Sequence, residues 1–300
     1  MIPVVDCTHG IISQKERIYE ALTKVGFVYL INHGLDEKSI DHAFSSSKKF
    51  FNLPLDEKQK YNKSDNIKSK TGYVGIGVET LNYSVKSTEI RESVNFSPND
   101  GSGVDFDPSK ISEIGPLMKP FLKELNNKAL EILEALADVL EFDKQWFLDQ
   151  HRVYEKPSYT SIRFLYYPIV PDDIRNGSER CGDHTDYGSI TLLLQDEVGG
   201  LEVMNRQGEY VPVKPIENAI LVNSGELLEK WTGGLIKATR HRVRTPPDAA
   251  LRKKVRYSIA YFMHPMHETI VKPMAGDLMK YAPVKTEENT LKFLMATFTN

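Results

Sequence analysis

His184 and Asp186, with His241 further along the chain and Arg256 and Ser258 after it, are the residues whose types and spacing allow chemistry. Two imidazoles and one carboxylate can occupy one face of a ferrous ion and leave its other positions open for a cosubstrate and dioxygen. In an extended strand side chains alternate faces, so His184 and Asp186 point one way and Thr185 the other. In Arg240-His241-Arg242-Val243-Arg244 the same alternation sets His241 and Val243 against three arginines. Arg256 and Ser258 share a face across Tyr257. A guanidinium beside a hydroxyl receives a carboxylate through two parallel charge-assisted hydrogen bonds and a third from the hydroxyl, which suits the distal carboxylate of 2-oxoglutarate. The same two-His, one-Asp set also suits a zinc-bound water in a hydrolase. No His-Glu-x-x-His helix or evident general base accompanies it here.

The elements that must position these groups occur as an ordered series of blocks. They include His184-Thr185-Asp186-Tyr187-Gly188, Ile190-Thr191-Leu192-Leu193-Leu194-Gln195-Asp196 and Gly199-Gly200-Leu201-Glu202-Val203. Leu221-Val222-Asn223-Ser224-Gly225-Glu226, His241-Arg242-Val243 and Arg256-Tyr257-Ser258 follow. Upstream stand Ile2-Pro3-Val4-Val5-Asp6, Gly26-Phe27-Val28-Tyr29-Leu30-Ile31-Asn32-His33-Gly34 and Phe50-Phe51-Asn52-Leu53-Pro54. From residue 2 to about 265 the chain resembles the isopenicillin N synthase-like branch of the iron(II)/2-oxoglutarate-dependent dioxygenases.

The resemblance implies an enzyme, an oxidoreductase with His184, Asp186 and His241 as iron ligands. It implies that Arg256 and Ser258, with Tyr167, hold 2-oxoglutarate, and that dioxygen is consumed, with ascorbate as a reductant. The expected reaction removes hydrogen from an unactivated C–H bond of a small molecule of specialised metabolism. The product is hydroxylated, desaturated or cyclised, with release of succinate and carbon dioxide. Two alternatives remain open beside the hydrolase: an oxidase of the same family that does not use 2-oxoglutarate, and a non-catalytic binding module. Leu165 stands where many relatives carry asparagine, and Trp231 and Gly233 stand where they carry a small polar residue and asparagine, so that turn is expected to be reshaped.

The expected fold is α+β, mainly β: a double-stranded β-helix, or jelly roll, backed by helices, with an N-terminal α/β region. The organisation reads as residues 1–110 for that region, 111–150 for a long backing helix, 151–270 for the jelly-roll core and 271–300 for a C-terminal helix or lid, all in one unit. A strand is expected at Ile2 to Val5, then a helix from Gln14 to Val25 with Ile18, Ala21, Leu22 and Val25 as its apolar stripe. Phe27 to Ile31 reads as a buried strand, Glu37 to Phe51 as a helix, and Pro54 opens a further short one. Lys63 to Lys70 reads as a mobile polar loop leading to a strand containing Gly72, Gly75 and Gly77, and Asn99 to Pro108 as another loop. Leu122, Leu125, Ala129, Leu133, Leu136, Ala137 and Leu140 predict a helix across Pro120 to Phe142. From Ser158 short strands alternate with turns at Pro171-Asp172, Asn176-Gly177, Gly199-Gly200 and Asn205 to Gly208, and a last helix spans Thr286 to Ala296.

The remaining residues bound the partners. Against 41 acidic residues there are 38 basic ones, a net charge of -3, which disfavours broad capture of nucleic acid. Cys7 and Cys181 are too few for a disulfide framework, and no apolar run approaches the roughly 20 residues needed to cross a bilayer. A cytoplasmic monomer acting on a small molecule, without nucleic-acid or membrane partners, is the expectation. Arg91, Arg163, Tyr73 and Trp231 are the candidates for substrate contact, although Arg91 and Arg163 can equally pair within the fold and aromatic residues commonly pack a core. The segment Tyr73 to Asn95 and the C-terminal helix are expected to cover the pocket. His9, His33, His42 and His151 read as packing or capping residues. His264 and His267 read as a connection after the last barrel strand, and Arg240, Arg242, Arg244, Arg252, Lys253 and Lys254 as a solvated face.

Overall fold

Every residue of Phe27-Val28-Tyr29-Leu30-Ile31 is apolar, the pattern of a strand covered on both faces, and four of the five are buried. The computed structural model describes residues 1–79, 81, 89–103, 111, 114–169, 179–244, 250 and 253–298. Its elements in chain order begin with β1 (Val4–Asp6), α1 (Lys15–Lys24), β2 (Phe27–Ile31), α2 (Glu37–Phe51), α3 (Leu55–Gln59), β3 (Gly72–Val74) and β4 (Glu92–Phe96). Then come α4 (Gly115–Val139), α5 (Lys144–Asp149), β5 (Ser161–Tyr167), β6 (Glu179–His184), β7 (Ile190–Gln195), β8 (Leu201–Met204), β9 (Tyr210–Pro212) and β10 (Ile220–Ser224). The chain continues through α6 (Glu226–Trp231), β11 (His241–Arg244), β12 (Arg256–Met263), β13 (Ile270–Val271), β14 (Val284–Lys285) and α7 (Thr286–Phe298).

Among the described residues an eight-stranded sheet runs β1-β2-β10-β7-β12-β5-β4-β3 and faces a four-stranded sheet, β6-β11-β8-β9. This is the expected jelly roll. The N-terminal region completes it: β1 and β2, a parallel pair joined through α1, extend one edge beside β10, and β3 and β4 extend the other beside β5.

The large sheet has two apolar faces that separate by residue parity. Val28, Leu30, Ile162, Phe164, Leu192, Leu194, Val222, Ile259 and Tyr261 join the core beneath the helices, with Leu22, Phe50, Leu125 and Leu133. The alternate residues Phe27, Tyr29, Leu165, Tyr167, Leu221 and Ala260 face the small sheet and pack with Leu201, Val203 and Val243. Arg163, Thr191, Asn223, Arg256 and Ser258 share this second parity. Strand alternation therefore points them all into the space between the sheets.

The helix at Glu37–Phe51 has the bounds read from sequence, and its N-cap Asp36 accepts a hydrogen bond from the Ser39 amide. The long helix begins at Gly115, five residues before the expected start, with Pro120 inside it. A proline there removes one ladder bond, but Leu117, Met118, Phe121 and Leu122 around it are buried. The short helices α5 and α6 are not foreshadowed by the pattern. The stretch Lys63 to Lys70, expected to be mobile, is tied at several points: Lys68 pairs with Glu287 at 2.8 Å and the Lys70 amide donates to Asp100 at 2.8 Å. The turns expected at Pro171-Asp172 and Asn176-Gly177, residue Arg252, residues 104–108 of the second loop, and residues 80 and 82–88 of the expected cover lie outside the described residues.

Candidate active site

His184 ends β6 and His241 opens β11, and the two strands pair with His184 opposite His241. Asp186 lies two residues past the end of β6, so turn geometry and not strand alternation aims it. Its backbone carbonyl accepts the Glu226 amide at 2.8 Å, while the Gly225 amide donates to Ser189 at 2.9 Å. A Cβ on Gly225 would stand 2.3 Å from the Gly188 oxygen, which is why the two glycines meet where they do. The result brings Asp186 Oδ1 to 3.7 Å from both His184 Nε2 and His241 Nε2. Donor atoms of all three side chains lie within 4.8 Å of one another, a group of carboxylate and imidazole donors able to hold a metal ion.

The surroundings orient each donor. His184 Nδ1 lies 2.8 Å from the Gly182 carbonyl and His241 Nδ1 3.0 Å from the Thr239 carbonyl. A carbonyl can only accept, so each Nδ1 carries the proton and each Nε2 keeps its lone pair toward the site. Asp186 Oδ2 accepts from Thr191 Oγ1 and from Asn223 Nδ2, both at 2.6 Å, leaving Oδ1 for the ion. Burial, with His241 beside it, brings the His184 imidazole down to about 4, so it is neutral at physiological pH. Burial alone would raise the Asp186 carboxyl. The two imidazoles and the Asn223 and Thr191 hydrogen bonds outweigh that and hold it below the usual carboxylate range. Neutral imidazole and ionised carboxylate are the forms that bind a divalent cation.

Arg256 and Ser258 form a second cluster in the same space. Arg256 is 1% exposed, with Nη1 donating to Ser258 Oγ and Nη2 to Gln195 Oε1, each at 3.2 Å, and its Nε has no partner among the described residues. Its guanidinium lies 4.7 Å above the centre of the Tyr167 ring, the residue opposite it on β5. A buried cation without a paired carboxylate among the described residues has the donor set for the free carboxylate of 2-oxoglutarate.

Both clusters line one cavity of about 120 Å³. Arg91 and Arg163 line it as well, but Tyr73 and Trp231 do not. Tyr73 pairs with Val94 on the helix-facing parity of the large sheet, and its hydroxyl donates to Glu92 at 2.7 Å. Trp231 is fully buried behind the sheet, edge-on to Phe147 at 5.0 Å. Each packs into the core beneath the helices and not into this cavity, unlike the placement expected from the sequence. His151 packs there too, as expected. His267 lies against Tyr159 at 4.2 Å, away from the cavity, and His264 borders the cavity outside the metal-donor group. Thr191, Asn223 and Lys70 were not singled out from the sequence. A polar residue inside an apolar strand run, as in Ile190-Thr191-Leu192 and Val222-Asn223, was the available signal for the first two.

A family model for the 2OG-Fe(II) oxygenase superfamily matches residues 159–265, and a model described as the N-terminal region of non-haem dioxygenases in morphine synthesis matches residues 2–113. The 2-oxoglutarate-dependent dioxygenase frbA of Dothideomycetidae sp. (strain 11243) is 32% identical over 289 residues, covering 88% of this chain and 85% of its own. The chain belongs to the 2-oxoglutarate/iron(II) oxygenase superfamily. Similar to this oxygenase at 31% identity is the proline hydroxylase buaE of Petromyces alliaceus, with 91% of this chain and 88% of the relative aligned. Among solved structures, a full-length Neurospora crassa protein in complex with alpha-KG and thymine matches the oxygenase with a TM-score of 0.84 at 29% identity, covering 98% of this chain and 96% of that one. The protein is thus an iron(II)- and 2-oxoglutarate-dependent dioxygenase, which removes the hydrolase and the binding module from consideration. No helix among the described residues is long and apolar enough to cross a membrane.

Proposed function

We propose that His184, Asp186 and His241 hold the iron, that Arg256, Ser258 and Tyr167 hold the distal carboxylate of 2-oxoglutarate, and that the protein oxidises an unactivated C–H bond of a small molecule. The observation that carries the reading is the convergence of three donor atoms within 4.8 Å, each fixed from behind by a backbone carbonyl or a polar side chain. Bound there with 2-oxoglutarate and dioxygen, iron(II) supplies the oxidant that removes the hydrogen atom, with succinate and carbon dioxide released.

The protein's own groups do the rest. Gly182 and Thr239 keep the imidazoles in the binding tautomer. Thr191 and Asn223 fix the carboxylate. Arg256 sets the direction from which the oxoacid reaches the metal, and the apolar walls from Leu165, Leu193, Leu201, Val243 and Ala260 exclude water from the reacting centre. Arg91 and Arg163 belong to the substrate end of the cavity. Thymine in the Neurospora structure and proline in the name of the Petromyces relative both support a small substrate with polar groups. Residues 1–110, 111–150, 151–270 and 271–300 act as one unit, a cytoplasmic monomer without nucleic-acid or membrane partners. Two buried free thiols agree with a reducing compartment.

The test is anaerobic reconstitution with iron(II), followed by 2-oxoglutarate and air, reading succinate. Wild type should bind one iron and release succinate, whereas His184→Ala and Asp186→Ala should lose both. Full succinate release in either variant removes the assigned ligand set.

A further inference from the structure

The substrate end of the cavity carries two arginines and two glutamates in mutual contact. Arg163 grips Glu79 with both terminal nitrogens, at 3.1 and 3.0 Å. Arg91 reaches Glu79 at 3.1 Å and Glu89 at 2.8 Å. Glu89 is fixed in turn by the amides of Leu81 at 2.8 Å and Gly182 at 3.0 Å. Two cations and two carboxylates cancel. From sequence these arginines could meet either a substrate or partners within the fold, and the structure shows them occupied by Glu79 and Glu89. They form a hydrogen-bonded wall of balanced charge.

Lys70 lines the same cavity and is the exception. Among the described residues its ammonium has no hydrogen bond or ion pair; only its backbone amide is engaged, with Asp100. Its side chain is partly exposed, and its charged neighbours include Arg163 and Glu79 of the wall. Desolvation by the surrounding protein and the Arg163 guanidinium pull the Lys70 ammonium down to about 7, against the opposite pull of the Glu79 and Asp100 carboxylates. The lining shared by Lys70 and the metal donors includes the apolar side chains of Leu81, Leu165, Phe262 and Leu294, together with His264, whose imidazole lies within electrostatic reach of both Lys70 and Asp186.

Resting on the cavity being the substrate site of the oxygenase, we infer that Lys70 is its substrate-specificity residue and that the substrate is an organic anion, with a carboxylate taken by Lys70 and an apolar body laid toward the metal. The neutral arginine–glutamate wall supplies shape and the lysine supplies charge. An anion there gives the ammonium a partner, and a charge-assisted hydrogen bond is worth roughly a 10- to 100-fold preference over a neutral analogue.

The probes are benzoate, 3-phenylpropanoate and octanoate, each against its primary amide. They are titrated by calorimetry into anaerobic, iron(II)-loaded protein saturated with 2-oxoglutarate, so the Arg256 anchor is filled and no turnover occurs. Wild type should bind at least one carboxylate roughly 10- to 100-fold more tightly than its amide. Lys70→Met should lose that preference and Lys70→Arg should restore most of it, a split that a merely structural role of Lys70 does not produce. Equal binding of acids and amides by wild type, no binding of any acid, or a preference undiminished in Lys70→Met overturns the assignment. The wild-type comparison decides even where the methionine variant does not fold. A separate titration with 2-oxoglutarate alone keeps the two readings apart. No heat there sinks the cosubstrate site, while the acid-against-amide comparison between wild type and Lys70→Met still decides the role of Lys70.

Discussion

Replacing Thr191 by valine keeps the shape of the side chain and deletes the hydrogen bond that fixes the metal carboxylate. Thr191 Oγ1 donates to Asp186 Oδ2 at 2.6 Å, and Asn223 Nδ2 donates to the same oxygen at the same distance. A hydrogen bond to an ionised group contributes about 1.5–3 kcal/mol, and removing one group that orients a metal ligand typically costs about 10- to 100-fold in metal affinity. Because Asn223 keeps the second bond, Thr191→Val should fall in the lower part of that range, about 10- to 30-fold, or roughly 1.4–2 kcal/mol. The assay is anaerobic competition for iron(II) against a chelator of known affinity, with circular dichroism of the metal-free variant as the check on folding. At saturating iron the variant should release succinate at close to the wild-type rate, since the donor atoms themselves are intact. Iron affinity within twofold of wild type, in a folded variant, would show that Thr191 does not orient Asp186 and would undo the reasoning about how the site is built.

Other outcomes follow from the same structure. Arg256→Ala should weaken 2-oxoglutarate binding by roughly 30-fold to several thousandfold, the effect of about 2–5 kcal/mol for truncating a buried charge-assisted partner; an unchanged apparent affinity in a 2-oxoglutarate titration excludes the residue from the site. Gly225→Ala should destabilise the fold and loosen iron together, because its Cβ would meet the Gly188 oxygen at 2.3 Å on the turn that carries Asp186; melting temperature and iron affinity equal to wild type would contradict this. Burial sets His151 to about 4 and, with Lys70 nearby, His264 to about 3, both below the free imidazole value of 6.5. The unfolded chain therefore binds more protons than the folded one below pH 6.5, and stability falls as pH drops toward 4 by about 1.4 kcal/mol per pH unit for each group. Urea titrations of metal-free protein across that window should show the slope, and a flat profile would mean that these imidazoles are solvated.

Much of the site was legible because its parts obey short-range rules. Alternation in Arg240 to Arg244 predicted that His241 and Val243 are buried while the arginines are not, and the structure agrees, with Arg242 meeting Glu202 and Arg240 meeting Asp183. Arg256 and Ser258 share a face for the same reason. What failed was the extension of that rule beyond a strand's end. Asp186 was placed by alternation from His184, yet it lies in a turn held by contacts with residues 225 and 226, which no local pattern reveals. Register also shifts along β6, where His184 and Cys181 sit opposite His241 and Val243 of β11, so three steps on one strand match two on the other. Tyr73 and Trp231 lie off the cavity because aromatic character does not say which way a residue faces: Tyr73 takes the helix side of the sheet through its pairing with Val94, and Trp231 ends a short helix packed against Phe147. Lys70 gave no signal, since an amine in a polar loop looks like any solvated lysine until the fold brings a cavity to it.

The two-sided construction of the large sheet has a practical consequence for engineering. Along β5, β7, β10 and β12, consecutive positions answer to different masters: one residue is read by the helices and the next by whatever occupies the barrel. A library restricted to the half-buried barrel-side positions 193 and 262 should therefore explore new substrates at little cost to the scaffold's melting behaviour, whereas the same diversity displaced by one residue, onto buried positions such as 192, 194, 261 and 263, should yield mainly insoluble protein.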